Sequence, residues 1–186
     1  MIRLIKCKAC GYVTQEGRIK DVCPACGVPA KMFEPFTDPV AEKRRRILEL
    51  HIHPIMVHFP QAFSITLFLL IILSYFTSVK IKGILFDAII VISFLLPCFV
   101  VLSIITGLLD GKIRFRKVTT PLLKKKIILA VLLLIISITL AFVSFSGQIT
   151  ASPTYCFFTL LTILAVACSA GLGLIGGRLI NAKFPG

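Results

Sequence analysis

Polar and apolar positions divide this chain unevenly. Up to about Leu50, charged, polar and apolar residues mix with no sustained period. Beyond that point four runs are apolar almost throughout, at about 54–76, 84–109, 127–146 and 154–176. Each reaches the ~20 residues that an α-helix needs to cross a bilayer. Transmembrane strands are not expected, because the runs are continuous rather than alternating. Pro60 and Pro97 fall inside two of the predicted helices, where each removes an internal hydrogen bond and leaves a carbonyl that needs a partner. Gly171, Gly173, Gly176 and Gly177 near the end of the fourth run suit close packing of helices.

Composition agrees with this division. Of the 186 residues, 57% are hydrophobic, and the mean hydropathy is +0.97. The formal net charge of +13 does not indicate a nucleic-acid face, because the basic residues lie beside and between the apolar runs. They also lie on one side. Lys43 to Arg46, Lys112, Arg114, Arg116, Lys117, Lys124 to Lys126, Arg178 and Lys183 stand against Lys80 and Lys82, thirteen to two. By the positive-inside rule both termini are expected in the cytoplasm, with the protein integral to an inner or cytoplasmic membrane.

Four of the seven cysteines lie within the first 26 residues. Met1 to Cys10 has no long apolar core and no small-residue cleavage site, so these thiols are expected to face a reducing compartment. Cys7-Lys8-Ala9-Cys10-Gly11 and Cys23-Pro24-Ala25-Cys26-Gly27 make two Cys-x-x-Cys-Gly knuckles. Two pairs supply four thiolates for a closed tetrahedral metal site. The glycine after each pair suits a turn with positive φ. A segment this short cannot fold on an apolar core alone, so the metal is expected to hold it together. Cys98, Cys156 and Cys168 fall inside apolar runs and read as buried small hydrophobes. Between head and membrane, Val40 to Leu50 is predicted to be a short helix with Asp38 as its cap and Pro39 in its first turn.

Cys7 to Val13, then Cys23 to Pro29, then Phe33-Glu34, resemble a rubredoxin, in particular the short rubredoxin-like domain of rubrerythrins. The similarity spans about residues 3 to 36 and includes Tyr12 and Phe33. It implies one iron held by Cys7, Cys10, Cys23 and Cys26 and the transfer of single electrons. Spacing alone also allows zinc.

All three histidines fall in His51 to Gln61, where head meets membrane. If Pro54 begins the helix, His53 caps it and His58 lies one turn inside, pointing roughly 140° away. In this topology Thr106-Gly107-Leu108-Leu109-Asp110 comes level with them, and Asp110 could accept an N–H from a ring. Ionisable groups at membrane depth are candidates for function. His53-Pro54-x-x-Val57-His58-Phe59-Pro60 and Thr106 to Asp110 also resemble the signature of an uncharacterised four-helix membrane family, itself similar to b-type cytochrome membrane domains. That resemblance implies haem b between helices. The histidine it leads one to expect at the start of the third helix is replaced here by Lys124 to Lys126, so a histidine pair would need two histidines of the same segment or one from a second subunit of a homo-oligomer.

The expected fold is a small rubredoxin-like metal-binding domain (1–36), a basic helical linker (37–52) and an all-α four-helix transmembrane bundle (53–178). The expected function is electron transfer between the iron centre and a haem or quinone near His51, His53, His58 and Asp110, with a redox partner protein, rather than a self-sufficient enzyme. The alternative is non-redox: a structural zinc ribbon on a membrane anchor that recruits a cytoplasmic partner. No nucleophile is placed with a base and an orienting acid, and no internal repeat suggests a transporter.

Overall fold

The computed structural model describes residues 3–37, 41–116, 119–147, 149 and 152–180. Asp38, Pro39, Lys117 and Lys183, to which the sequence reading gave roles, lie outside them. The chain divides into two compact units, one within Met1–Arg45 and one within Arg46–Lys183.

The first unit is built on a three-stranded antiparallel sheet of order β2-β1-β3, with β1 at Leu4–Cys7, β2 at Val13–Gln15 and β3 at Phe33–Phe36. Leu4 pairs with Gln15 on one side and Phe36 on the other, and Cys7 stands opposite Phe33. A bridge between Val22 and Pro29 closes the second knuckle. Apolar side chains such as Tyr12, Val13 and Val22 remain exposed. Among the described residues of this unit only Cys7 and Cys23 are fully buried. The interior of the head is therefore its sulfur.

Helix α1 spans Glu42–Glu49. His51, at φ 51°, separates it from α2, Ile52–Ser74. The helices α3 (Val79–Phe115), α4 (Pro121–Phe145) and α5 (Ser152–Ile180) follow. All four long helices have the length and apolar composition to cross a membrane. Each packs on the next, and α5 closes back on α2, giving a four-helix ring. Helix α3 runs past its apolar stretch at both ends, carrying Lys80 and Lys82 at its start and Lys112 and Arg114 at its finish.

Leu67, Ile71, Ile89, Leu96, Leu140 and Phe158 fill the bundle core, and a hydroxyl from every helix is buried with them, at Ser64, Ser93, Ser137 and Thr162. Such side chains are small, and in lipid they can bond across helices. Ser169 Oγ donates to Ser64 Oγ at 3.2 Å, tying α5 to α2. The carbonyl freed by Pro60 belongs to Met56, four residues before it. Ser103 Oγ on α3 donates to that oxygen at 3.1 Å, so the proline supplies a link between helices. Of the cysteines in the apolar runs, Cys168 is buried, whereas Cys98 and Cys156 face outward. The expectation that all three are buried fails because, in a bilayer, the outer face of a helix is as apolar as its inner face.

Candidate functional site

The head positions its four sulfurs by two matching turns. In the first, Gly11 N–H donates to Cys7 O at 2.9 Å and Cys7 N–H to Tyr12 O at 2.8 Å. In the second, Gly27 N–H donates to Cys23 O at 2.8 Å and Cys23 N–H to Val28 O at 2.7 Å. Gly11 and Gly27 have φ of 77° and 76°, the left-handed region that a side chain disfavours. The positive-φ knuckles expected from the sequence are both present.

The sulfurs of Cys7, Cys10, Cys23 and Cys26 all lie within 4.8 Å of one another. Cys7 to Cys26 and Cys10 to Cys23 are each 3.8 Å apart. A metal–sulfur bond of ~2.3 Å gives a regular tetrahedron an edge of about 3.8 Å, so the donor set fits one tetrahedral metal ion. Electrostatics agree. The backbone N–H of Cys10 helps bring the Cys7 thiol down to about 7. Cys26, although the Val28 N–H favours its thiolate, is pushed up to about 12, with the neighbouring Cys10 sulfur the largest influence in that direction. Four sulfurs this close do not all ionise unless a cation shares their charge. Cys7 and Cys23 are buried, while Cys10 and Cys26 are exposed. A metal held here would thus have two shielded ligands and two at the surface.

In the bundle, the first turns of α2 and α4 and the last turns of α3 and α5 meet around a cavity of about 390 Å³. Its walls are mainly aliphatic, from Val57, Val100, Ile104, Leu133 and Leu172, and its polar groups include His53, His58, Gln61, Asp110, Arg114 and Lys126, with the hydroxyls of Ser103 and Ser169. The sequence reading brought His53, His58 and Asp110 together, and all three line this cavity. His51 does not. It caps α2, and its Nδ1 contacts Glu49 O at 2.5 Å. The helix starts at Ile52 rather than Pro54, because the break falls at the left-handed His51. His53 is therefore a first-turn residue, and Pro54 sits where its missing N–H needs no partner.

Hydrogen bonding fixes the state of the His53 ring. Thr106 donates its hydroxyl to Leu102 O at 2.9 Å, leaving Oγ1 as an acceptor for His53 Nδ1–H at 3.4 Å. His53 Nε2 then carries a lone pair, and Lys126 Nζ donates to it at 2.8 Å. Gly107 makes room for the ring, since a Cβ there would lie 2.8 Å from His53 Cε1. Asp110 does not take a ring N–H. Its carboxylate accepts from Arg114 Nε at 3.3 Å, one helical turn away. His58 makes no hydrogen bond to any described residue.

The α5 glycines divide their work. A Cβ at Gly171 would stand 2.9 Å from Leu129 Cδ2, which is close packing. Gly173, Gly176 and Gly177 line the cavity and create its space. The residue that sequence reasoning missed is Lys126. In the sequence it reads with Lys124 and Lys125 as a topology signal, and what distinguishes it is that it lies half-buried on the face of α4 that lines the cavity, while Lys124 and Lys125 are exposed.

No curated protein and no solved structure matches the chain. The head has a counterpart: residues 6–34, with all four cysteines, match the family model of the rubredoxin-like domain of rubrerythrin, and the chain thus joins a rubredoxin-like domain to four membrane-spanning helices.

Proposed function

We propose that this protein transfers single electrons at the cytoplasmic face of a membrane, between iron on Cys7, Cys10, Cys23 and Cys26 and an acceptor held in the bundle, haem or quinone. The observation that carries the reading is the four-sulfur cluster of tetrahedral dimensions within a rubredoxin-like fold. Iron in such a site supplies one-electron redox chemistry. The chain's own residues supply the rest. Cys7 and Cys23 shield the site from water, and the exposed Cys10 and Cys26 give an edge at which a partner can approach. The glycine knuckles aim backbone N–H groups at sulfur, which tunes the charge the site can carry.

Covalent attachment to the bundle keeps the head at high effective concentration near the membrane. The basic residues at the cavity end of the helices support a cytoplasmic position for that end and for the head. His53, His58 and Asp110 line the cavity and would face an acceptor held there, while His51 holds the junction between α1 and α2.

The test is an absorption spectrum of the detergent-purified full chain, before and after dithionite, with metal analysis of the same sample. Sulfur-to-iron bands that bleach on reduction are expected. A colourless protein with one zinc per chain overturns the proposal and leaves a zinc ribbon on a membrane anchor.

A further inference from the structure

The bundle cavity contains donors that the protein itself does not use. Lys126 carries three N–H groups, and one is spent on His53 Nε2. No carboxylate of the described residues pairs with Lys126. An ammonium with unspent donors between aliphatic walls is suited to an oxygen acceptor. The charged groups lining the cavity are Lys126, Arg114 and Asp110. Two basic side chains against one carboxylate favour a ligand that carries or gains negative charge.

We infer that the cavity is a binding site for a lipid-soluble quinone, with Lys126 donating to a quinone carbonyl oxygen and the aliphatic walls holding the ring. The cavity of about 390 Å³ falls in the ordinary range for small-ligand sites, mostly apolar with a few convergent polar groups. A haem held by two histidines of one chain fits these residues poorly. Both nitrogens of His53 are engaged, by Thr106 and Lys126. His51 lies outside the cavity, which leaves His58 alone. Lys126 thus stands in a position where it makes a polar-headed ligand preferable to an axial imidazole.

The choice of a quinone over another oxygen-bearing amphiphile rests on the electron-transfer reading. Binding is independent of the head metal, so the two can fail separately. The experiment is calorimetric titration of decylubiquinone into the full chain in nanodiscs, with empty nanodiscs as reference. Saturable binding at one per chain is expected. Lys126→Ala should weaken it about tenfold or more, the consequence of losing one hydrogen bond to a charged donor, and Lys126→Arg should restore part of it. A second variant guards against misfolding. Gly177→Leu places a side chain in the cavity from a position where a Cβ meets nothing within 4 Å, and it should abolish binding while circular dichroism stays unchanged. Non-saturable partitioning, equal in wild type and all three variants, overturns the inference. So does saturable binding of oleate with none of the quinone, which would assign the cavity to a carboxylate lipid.

Discussion

The two units of this chain solve opposite problems. In the head, the described residues that are fully buried are two cysteines, and apolar side chains such as Val22 are left in water at 53% exposure. In the bundle, leucines and isoleucines are buried beside serines, while Phe76 and Val79 stand outside at 83% and 89% exposure. A water-facing domain normally gains stability by removing apolar surface, and the head is too small to remove enough. A lipid-facing bundle gains nothing by hiding apolar surface, so its specificity comes from close packing and from hydroxyls that find partners across helices. One unit is built around four sulfurs that can hold a metal and the other on many small contacts.

Breaking the metal site should therefore have the largest effect, confined to one unit. Cys23→Ser, or treatment with a strong chelator, should unfold the head. Structural metal binding in small thiolate domains is worth roughly 10–16 kcal/mol, more than such a small domain holds in reserve. Amide signals of β1 to β3 should collapse in an NMR spectrum, while the helical circular dichroism of the bundle persists. Head signals that survive metal removal would show that Leu4, Phe33 and Phe36 suffice as a core. A smaller effect is expected in the bundle from Gly107→Ala, whose Cβ would lie 2.8 Å from His53 Cε1. The ring must leave Thr106 and Lys126, at a cost of about 1–3 kcal/mol. Thermal unfolding in detergent reads the cost, and the His53 imidazole NMR shifts read the displacement.

These effects differ in how far they could be foreseen. The knuckles were legible because everything that makes them is local: two cysteines, the residues between, and a glycine that must take positive φ. The four helices were legible because lipid imposes length and apolarity on each one separately. The carbonyl freed by Pro60 was legible too, but its partner Ser103 was not, since that depends on the register of α3 against α2. Lys126 was the least legible. It is 73 residues from His53, and in the sequence it looks the same as Lys124 and Lys125. What separates them is which face of α4 turns inward, a property of packing. Asp110 was placed correctly at the level of the histidines, but its partner proved to be Arg114 on its own helix, a pairing of residues four apart that competes with any contact across helices.

Ser103→Ala sharpens the account of Pro60. It leaves Met56 O without its donor, and should cost about 1 kcal/mol in reversible unfolding. In a Pro60→Ala background the helix can make its own bond to Met56 O, so the same change should cost measurably less. Equal costs in both backgrounds would mean that Ser103 stabilises by packing rather than by satisfying the freed carbonyl.

The smallest effect is expected at the opposite end of the bundle, where Tyr155 meets Ser74. Ser74 donates to Ile71 O at 2.7 Å, which favours the hydroxyl of Tyr155 as the donor in the 2.5 Å contact between the two side chains, with Ile71 O also 3.5 Å from that hydroxyl. The ring has work of its own: it packs on Tyr75 at 4.3 Å and on Phe86 at 6.2 Å between centroids, and Lys82 Nζ lies 4.9 Å above it. Tyr155→Phe removes the hydroxyl alone and keeps all three ring contacts. Ser74 retains its bond to Ile71, so no buried donor is orphaned. The loss should stay near the ~0.6 kcal/mol average for hydrogen bonds between membrane helices, whereas Tyr155→Leu, which also removes the ring, should cost several times more. If Tyr155→Phe proves as damaging as Tyr155→Leu, then this end of the bundle is held by its polar contact, and the contrast with the sulfur-centred head is narrower than packing alone implies.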